Sequence, residues 1–78
     1  YAEVFAAKEA AFKTFSTAWR DDMSFLDIEI QKGMNGEPIV NLKGTFLKLL
    51  SQKNAADIVV SLSWEEDTAI AFAVMRTY

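Results

Sequence analysis

The first twenty residues, YAEVFAAKEAAFKTFSTAWR, place large apolar side chains at Val4, Phe5, Phe12, Phe15 and Trp19, with Tyr1 ahead of them. Glu3, Glu9, Lys13 and Arg20 fall largely between. Recurrence at this spacing is what one face of a 3.6-residue helix needs, so the segment predicts an amphipathic helix with its aromatic side toward a core. Five alanines between residues 2 and 11 favour it intrinsically, and Glu9 four residues before Lys13 adds a few tenths of a kcal/mol on its surface. Glu3 suits the positive start and Arg20 the negative end, while Asp21 and Asp22 oppose that end and mark the expected stop.

From Ser24 the period drops to two. Leu26, Ile28 and Ile30 alternate with Asp27, Glu29 and Gln31, and Val40 and Leu42 alternate with Asn41 and Lys43. Both strands then carry an even-numbered core face. That shared parity decides the turn in IQKGMNGEPIV. A two-residue Asn35-Gly36 turn would set Ile30 against Asn41, one strand's core face beside the other's wet face. A three-residue loop Met34-Asn35-Gly36, with Gly36 left-handed, pairs Ile30 with Val40 and Ile28 with Leu42. Pro38 then lies close to the start of its strand, where a missing donor does little harm.

The rest of the chain is less decided. Phe46, Leu47, Leu49 and Leu50 fit a short helix as well as a strand whose phase slips near Gly44, and the continued strand is preferred. SQKNAAD is a turn by composition, DIVVSLSW a strand by its β-branched content, and EED a polar turn. TAIAFAVMRTY alternates Ile70, Phe72 and Val74 against Ala69, Ala71, Ala73 and Met75, which reads as a strand; an alanine-rich helix opened by Ser63 and Glu66 is the alternative. Residues 45–53 and 64–78 thus each hold two readings. The preferred sum is an α+β fold, one N-terminal amphipathic helix packed on a four-stranded antiparallel β-meander. Residues 1–78 form one domain without linkers or repeats. The chain starts at Tyr1 and runs straight into periodic sequence, and so reads as a processed product or a piece of a longer chain.

Composition changes this picture mainly by exclusion. With 51% hydrophobic and 24% charged residues the chain can build a core and is not a disordered tail. It has no cysteine and no histidine, which removes disulfides, thiolate chemistry and the usual proton-transfer side chain, and leaves the compartment open. A net charge of −3, with dispersed lysines, gives no general attraction for phosphate backbones, so no nucleic-acid partner is expected. No apolar run approaches the roughly 18–20 residues of a bilayer span, so no membrane partner is expected either, and the chain reads as soluble.

Candidate chemistry is sparse. Asp21-Asp22 and Glu65-Glu66-Asp67 could offer oxygens to a cation, but a meander puts them at opposite ends and no calcium-loop spacing is present. No metal and no cofactor are therefore expected. Paired-carboxylate catalysis needs a cleft, and Ser16, Ser51, Ser61 and Ser63 sit in no nucleophile motif. The expectation is no catalytic residue and no enzyme.

Interaction is the better-supported class. In a meander the last strand is an edge, and TAIAFAVMRTY carries no charge before Arg76, no proline and no glycine. An edge so unprotected is a template for another strand. Ala69, Ile70, Ala71, Phe72, Ala73 and Val74 are thus expected to pair with a second copy, a partner chain or a missing part of the parent polypeptide. Met34 and Trp64, with Glu65, Glu66 and Asp67, form an acidic tip suited to a basic or amphipathic protein partner. The expected function is a non-enzymatic protein-interaction or assembly domain, a structural protein that forms a homo-oligomer. As an alternative, a helix followed by an antiparallel meander resembles in outline the cystatin-type protease inhibitors, which implies a small loop-presenting inhibitor or ligand-binding module. The first turn, QKGMNG, departs from their QxVxG loop.

Overall fold

The structure, a computed structural model, describes residues 2–78, so the expectation for Tyr1 lies outside the described residues. Helix α1 (Ala2–Lys13) leads through a loop and a 3-10 turn (Phe25–Asp27) into β1 (Ile28–Lys32) and β2 (Pro38–Leu42). Helix α2 (Gly44–Gln52) follows, then β3 (Ala55–Glu65) and β4 (Thr68–Thr77). The strands pair as two separate antiparallel hairpins, β1 with β2 and β3 with β4. The expected single helix on a four-stranded meander is therefore corrected to two helices and two two-stranded sheets. None of the described helices is long and apolar enough to cross a membrane.

The correction has a local cause at Gly44. Its φ of +57° turns the chain out of the extended path, and Phe46 and Leu50, four residues apart, both become buried. The helical period wins over the strand preferred for residues 45–53 because it brings Leu49 to the same side as Phe46 and Leu50 and leaves Leu47 exposed, whereas a strand would set Leu49 on the opposite face.

Helix α1 also departs from expectation. It stops at Lys13, well short of Arg20; its last turn tightens as the Ser16 amide donates to the Lys13 carbonyl at 3.2 Å, and Ser16 takes a left-handed φ of 53°. Trp19 therefore lies beyond the helix. The buried stripe is Ala7, Ala11 and Phe15 rather than the full row of aromatics, and Phe5 and Trp19 stay half-exposed. Small residues on this stripe let the helix axis approach the sheet, and the rings spread to one flank.

The core forms between α1, α2 and the inner faces of the hairpins. Phe15, Phe46 and Ile28 are fully buried, and no polar or charged residue is buried among the described residues. The rings of Phe15 and Phe46 stand 5.5 Å apart, and Phe12 meets Phe46 edge-on at 6.1 Å. Trp19 closes the cluster against Phe25 at 5.0 Å.

The first hairpin has the register that parity predicts, Ile28 opposite Leu42 and Ile30 opposite Val40. The Gly33 amide donates to the Glu37 carbonyl at 2.7 Å and the Gly36 amide to the Gly33 carbonyl at 3.0 Å, which closes the three-residue loop with Gly36 at φ +80°. In the second hairpin Glu66-Asp67 is a two-residue turn flanked by the pair Glu65 and Thr68. The helical alternative for 64–78 does not form. Val60 and Leu62 pair with Ala73 and Ala71 and share the inner side, while Val59 and Ser61 pair with Val74 and Phe72 on the outer side. Outside the two hairpins, the most extensive packing in the molecule is that of α1 against β4.

Candidate functional site

The contact between α1 and β4 positions the most chemically equipped surface of the molecule. On α1, Ala6 and Ala10 face the strand, and on β4 the facing residues Ala69, Ala71 and Ala73 are also alanines. Glu9 and Lys13, one helical turn apart, stand at the rim of a concavity of about 510 Å³ between helix and strand. Its floor is lined by consecutive β4 residues, 69 to 73. Because successive strand residues point to opposite faces, a run of five lines one groove only if the groove follows the strand's edge.

The groove offers a carboxylate and an ammonium group. Neither Glu9 nor Lys13 enters the three ion pairs found among the described residues, Arg20–Asp22, Lys43–Glu29 and Arg76–Asp57. The Thr14 hydroxyl, also on the rim, donates to the Ala11 carbonyl at 2.7 Å. Lys8 is engaged elsewhere, its Nζ donating to the Phe25 carbonyl at 3.0 Å and so tying α1 to the 3-10 turn. Among the described residues no three acidic side chains gather where they could hold a metal ion, and Glu9 is the groove's single carboxylate.

Electrostatic perturbation lies away from the groove. The hydrogen bond and charge of Lys43, with help from Gln31, hold the exposed Glu29 carboxyl below its ordinary value. Arg76 does the same for Asp57, first by hydrogen bonding, and Asp57 in turn raises Arg76.

The residues expected to bind a partner are divided by the fold. Ala69, Ala71 and Ala73 belong to the groove wall. Ile70, Phe72 and Val74 lie on the outer face of the hairpin, with Phe72 66% and Val74 62% exposed. Trp64, in the ladder opposite Ala69, is 55% exposed, and Glu65, Glu66 and Asp67 form the exposed turn beside it. Met34 is fully exposed on the loop of the other hairpin, in the other sheet. Glu9 and Lys13 carry only a helix-stabilising role in the sequence reading. The available signal was the run of alanines around them, which lets a strand approach.

No protein-family profile matches the chain. It is 39% identical over 74 residues to the holo-acyl-carrier-protein synthase of Desulforudis audaxviator, covering 95% of this chain and 56% of that protein. With the synthase of the same name from Ruminiclostridium cellulolyticum it shares 41% over 75 residues, 96% of this chain and 56% of that one. The crystal structure of the Helicobacter pylori holo-acyl-carrier-protein synthase in complex with coenzyme A superposes with a TM-score of 0.77 at 31% identity, covering 95% of this chain and 62% of that one. The chain thus spans little more than half the length of these relatives, and their structure shares its arrangement of helices and hairpins. These relatives are enzymes. The expectation of a non-enzymatic interaction, assembly or structural domain, and the cystatin-like alternative, are corrected by them. The inference from absent histidine and cysteine failed because group transfer between phosphate and hydroxyl can be run by carboxylates, amines and the charges around them.

Proposed function

We propose that these residues are the portion of a phosphopantetheinyl transferase that presents Glu9 and Lys13 to the reacting groups, with coenzyme A as donor and a carrier protein as acceptor. The observation that carries the reading is the placement of Glu9 and Lys13 together at the rim of an open groove, in a chain about 40% identical to holo-acyl-carrier-protein synthases over nearly its whole length. In the reaction a carrier hydroxyl oxygen forms a bond to the phosphorus of the phosphopantetheine arm. The bridging P–O bond of the diphosphate breaks, and the adenosine bisphosphate leaves with the electron pair. The hydroxyl proton needs an acceptor and the phosphate charge needs a cation. Glu9 supplies the first and Lys13 the second. One lysine does not balance the charge of coenzyme A, so further cations come from outside this groove.

The test is kinetic, in the polypeptide that carries these residues. Glu9→Gln should lower kcat about 100-fold or more while coenzyme A binding changes little, as for loss of a proton acceptor. Lys13→Ala should raise KM for coenzyme A about tenfold or more. Activity within twofold of the parent in both variants would place the chemistry elsewhere.

A second surface supports self-association beside this activity. The outer face of the β3–β4 hairpin sets Val59 and Val74 opposite each other, with Phe72 next to them, and leaves Phe72 and Val74 largely exposed and Val59 nearly half so. A flat apolar face of this kind is better covered by a like face than by water. A second copy of the chain is the occupant that this reading assigns to it.

A further inference from the structure

Charge is unevenly spread along the chain, and α2 lies in its most one-sided part. From Pro38 to Ala56 there is no acidic residue, and the stretch carries Lys43, Lys48 and Lys53, in a chain whose net charge is −3. Lys43 is engaged by Glu29 at 3.1 Å. Lys48 and Lys53 enter none of the ion pairs among the described residues, and both are exposed. The carboxylates that reach α2 from other elements meet its first turn: Thr45 Oγ1 donates to Asp22 Oδ2 at 3.3 Å, and Asp27 lies against Gly44. They suit the positive start of the helix and leave its later part to the two lysines. Beside those lysines α2 exposes an apolar side chain that its own packing does not use. Phe46 and Leu50 are buried, whereas Leu47 is 52% exposed. Leu47, Ser51 and Asn54, spaced four and three residues apart, border a concavity of about 360 Å³ between α2 and the first residues of β3. Lys48 directly follows Leu47, and Lys53 directly precedes Asn54, so a lysine adjoins this row at two places.

We infer that this face of α2 is a docking surface for an acidic, amphipathic helix of another polypeptide, whose apolar side chains enter the concavity beside Leu47 and whose carboxylates meet Lys48 and Lys53. Charge decides the occupant. An apolar patch alone would accept a helix of either sign, whereas unopposed lysines around it attract an acidic segment and repel a basic one. A second copy fits less well. Its acidic residues Glu65, Glu66 and Asp67 sit on a tight hairpin turn, which presents no apolar row at helical spacing to match Leu47 and the concavity. A lipid surface fits less well too, since two lysines are too few to hold a chain of net charge −3 against an anionic bilayer. The concavity at α2 shares no lining residue with the groove at Glu9 and Lys13, and the inference stands independently of the transferase reading.

Fluorescence anisotropy on the polypeptide that carries these residues tests the inference. The probe is a labelled synthetic helix of about 18 residues, with leucine on one face and glutamate on the other. The same peptide with lysine in place of every glutamate, and phosphatidylserine vesicles, are the competing probes. The acidic peptide should bind with a Kd in the micromolar range, and the basic peptide at least about tenfold more weakly. Lys48→Glu combined with Lys53→Glu should weaken the acidic peptide about tenfold or more, and Leu47→Ser about fivefold, while Lys32→Glu, on the other hairpin, stays within about twofold of the parent. Should the charge reversal disturb folding, Lys48→Gln with Lys53→Gln gives the same reading through a loss of about threefold or more. The inference is overturned if the acidic peptide fails to bind at high micromolar concentration, or if the basic peptide binds as tightly. It is equally overturned if Lys32→Glu weakens binding as much as the Lys48 and Lys53 variants do. Vesicle binding that depends on Lys48 and Lys53, without binding of the acidic peptide, would make this a lipid-facing surface and overturn it as well.

Discussion

Ser16 and Glu66 hold left-handed backbone, with φ of 53° and 54°, where a β-carbon is crowded by its own carbonyl. Asn54, at 57°, is in the same region but is a residue that tolerates it. Ser16 turns the chain off the end of α1 and Glu66 opens the β3–β4 turn, so each position needs the conformation whatever residue fills it. Ser16→Gly and Glu66→Asn should each raise stability by about 0.5–1 kcal/mol, read as a rise of several degrees in Tm. No rise in either variant would mean the turns relax to other conformations. Gly36 is the converse case, at φ +80° with open space where a β-carbon would stand. Gly36→Val should therefore cost about 1–2 kcal/mol from backbone strain alone, and Gly36→Asn clearly less. Gly36 was legible in the sequence because glycine advertises this conformation. Ser16 was not, because the path of the chain imposes it on a residue that carries no such mark.

The same division holds among the elements. The β1–β2 register followed from parity, since a hairpin is local and its two faces differ in polarity along adjacent segments. Helix α2 could not be separated from a strand, because Phe46, Leu47, Leu49 and Leu50 satisfy both periods and the choice lies in their burial against residues far away in the chain. Glu9 and Lys13 were harder still. The same i, i+4 pair strengthens any exposed helix, and only the docking of β4, more than fifty residues later, turns it into the rim of a groove. Where packing decides, its cost can be measured. Phe15 and Phe46 are fully buried with rings 5.5 Å apart, so truncating either to Ala should destabilise by about 3–5 kcal/mol. Phe5 is nearly half exposed, and Phe5→Ala should cost well under half as much. Urea denaturation of the three variants gives the comparison, and equal losses would show that α1 turns a different side inward.

For the molecule as a whole, the proposed contact between copies rests on the outer face of the second hairpin. Surface ion pairs such as Arg76–Asp57 are exposed and contribute little, whereas Phe72 and Val74 stay largely open to water. Phe72→Lys should weaken self-association about tenfold or more, measured by concentration-dependent sizing, with the fold intact because that side chain points away from the core. A parent that is monomeric at high micromolar concentration would remove this face as a contact between copies. The packing of α1 against β4 has a consequence for biosynthesis. The helix leaves the ribosome well before the strand it packs against most. Between Lys13 and Thr68 the ribosome adds 55 residues, which takes about 3–11 s at roughly 5–20 residues per second. For that interval the stripe of Ala7, Ala11 and Phe15 lacks the strand it packs against most, so the nascent chain, more than the finished one, is the form that a chaperone would meet.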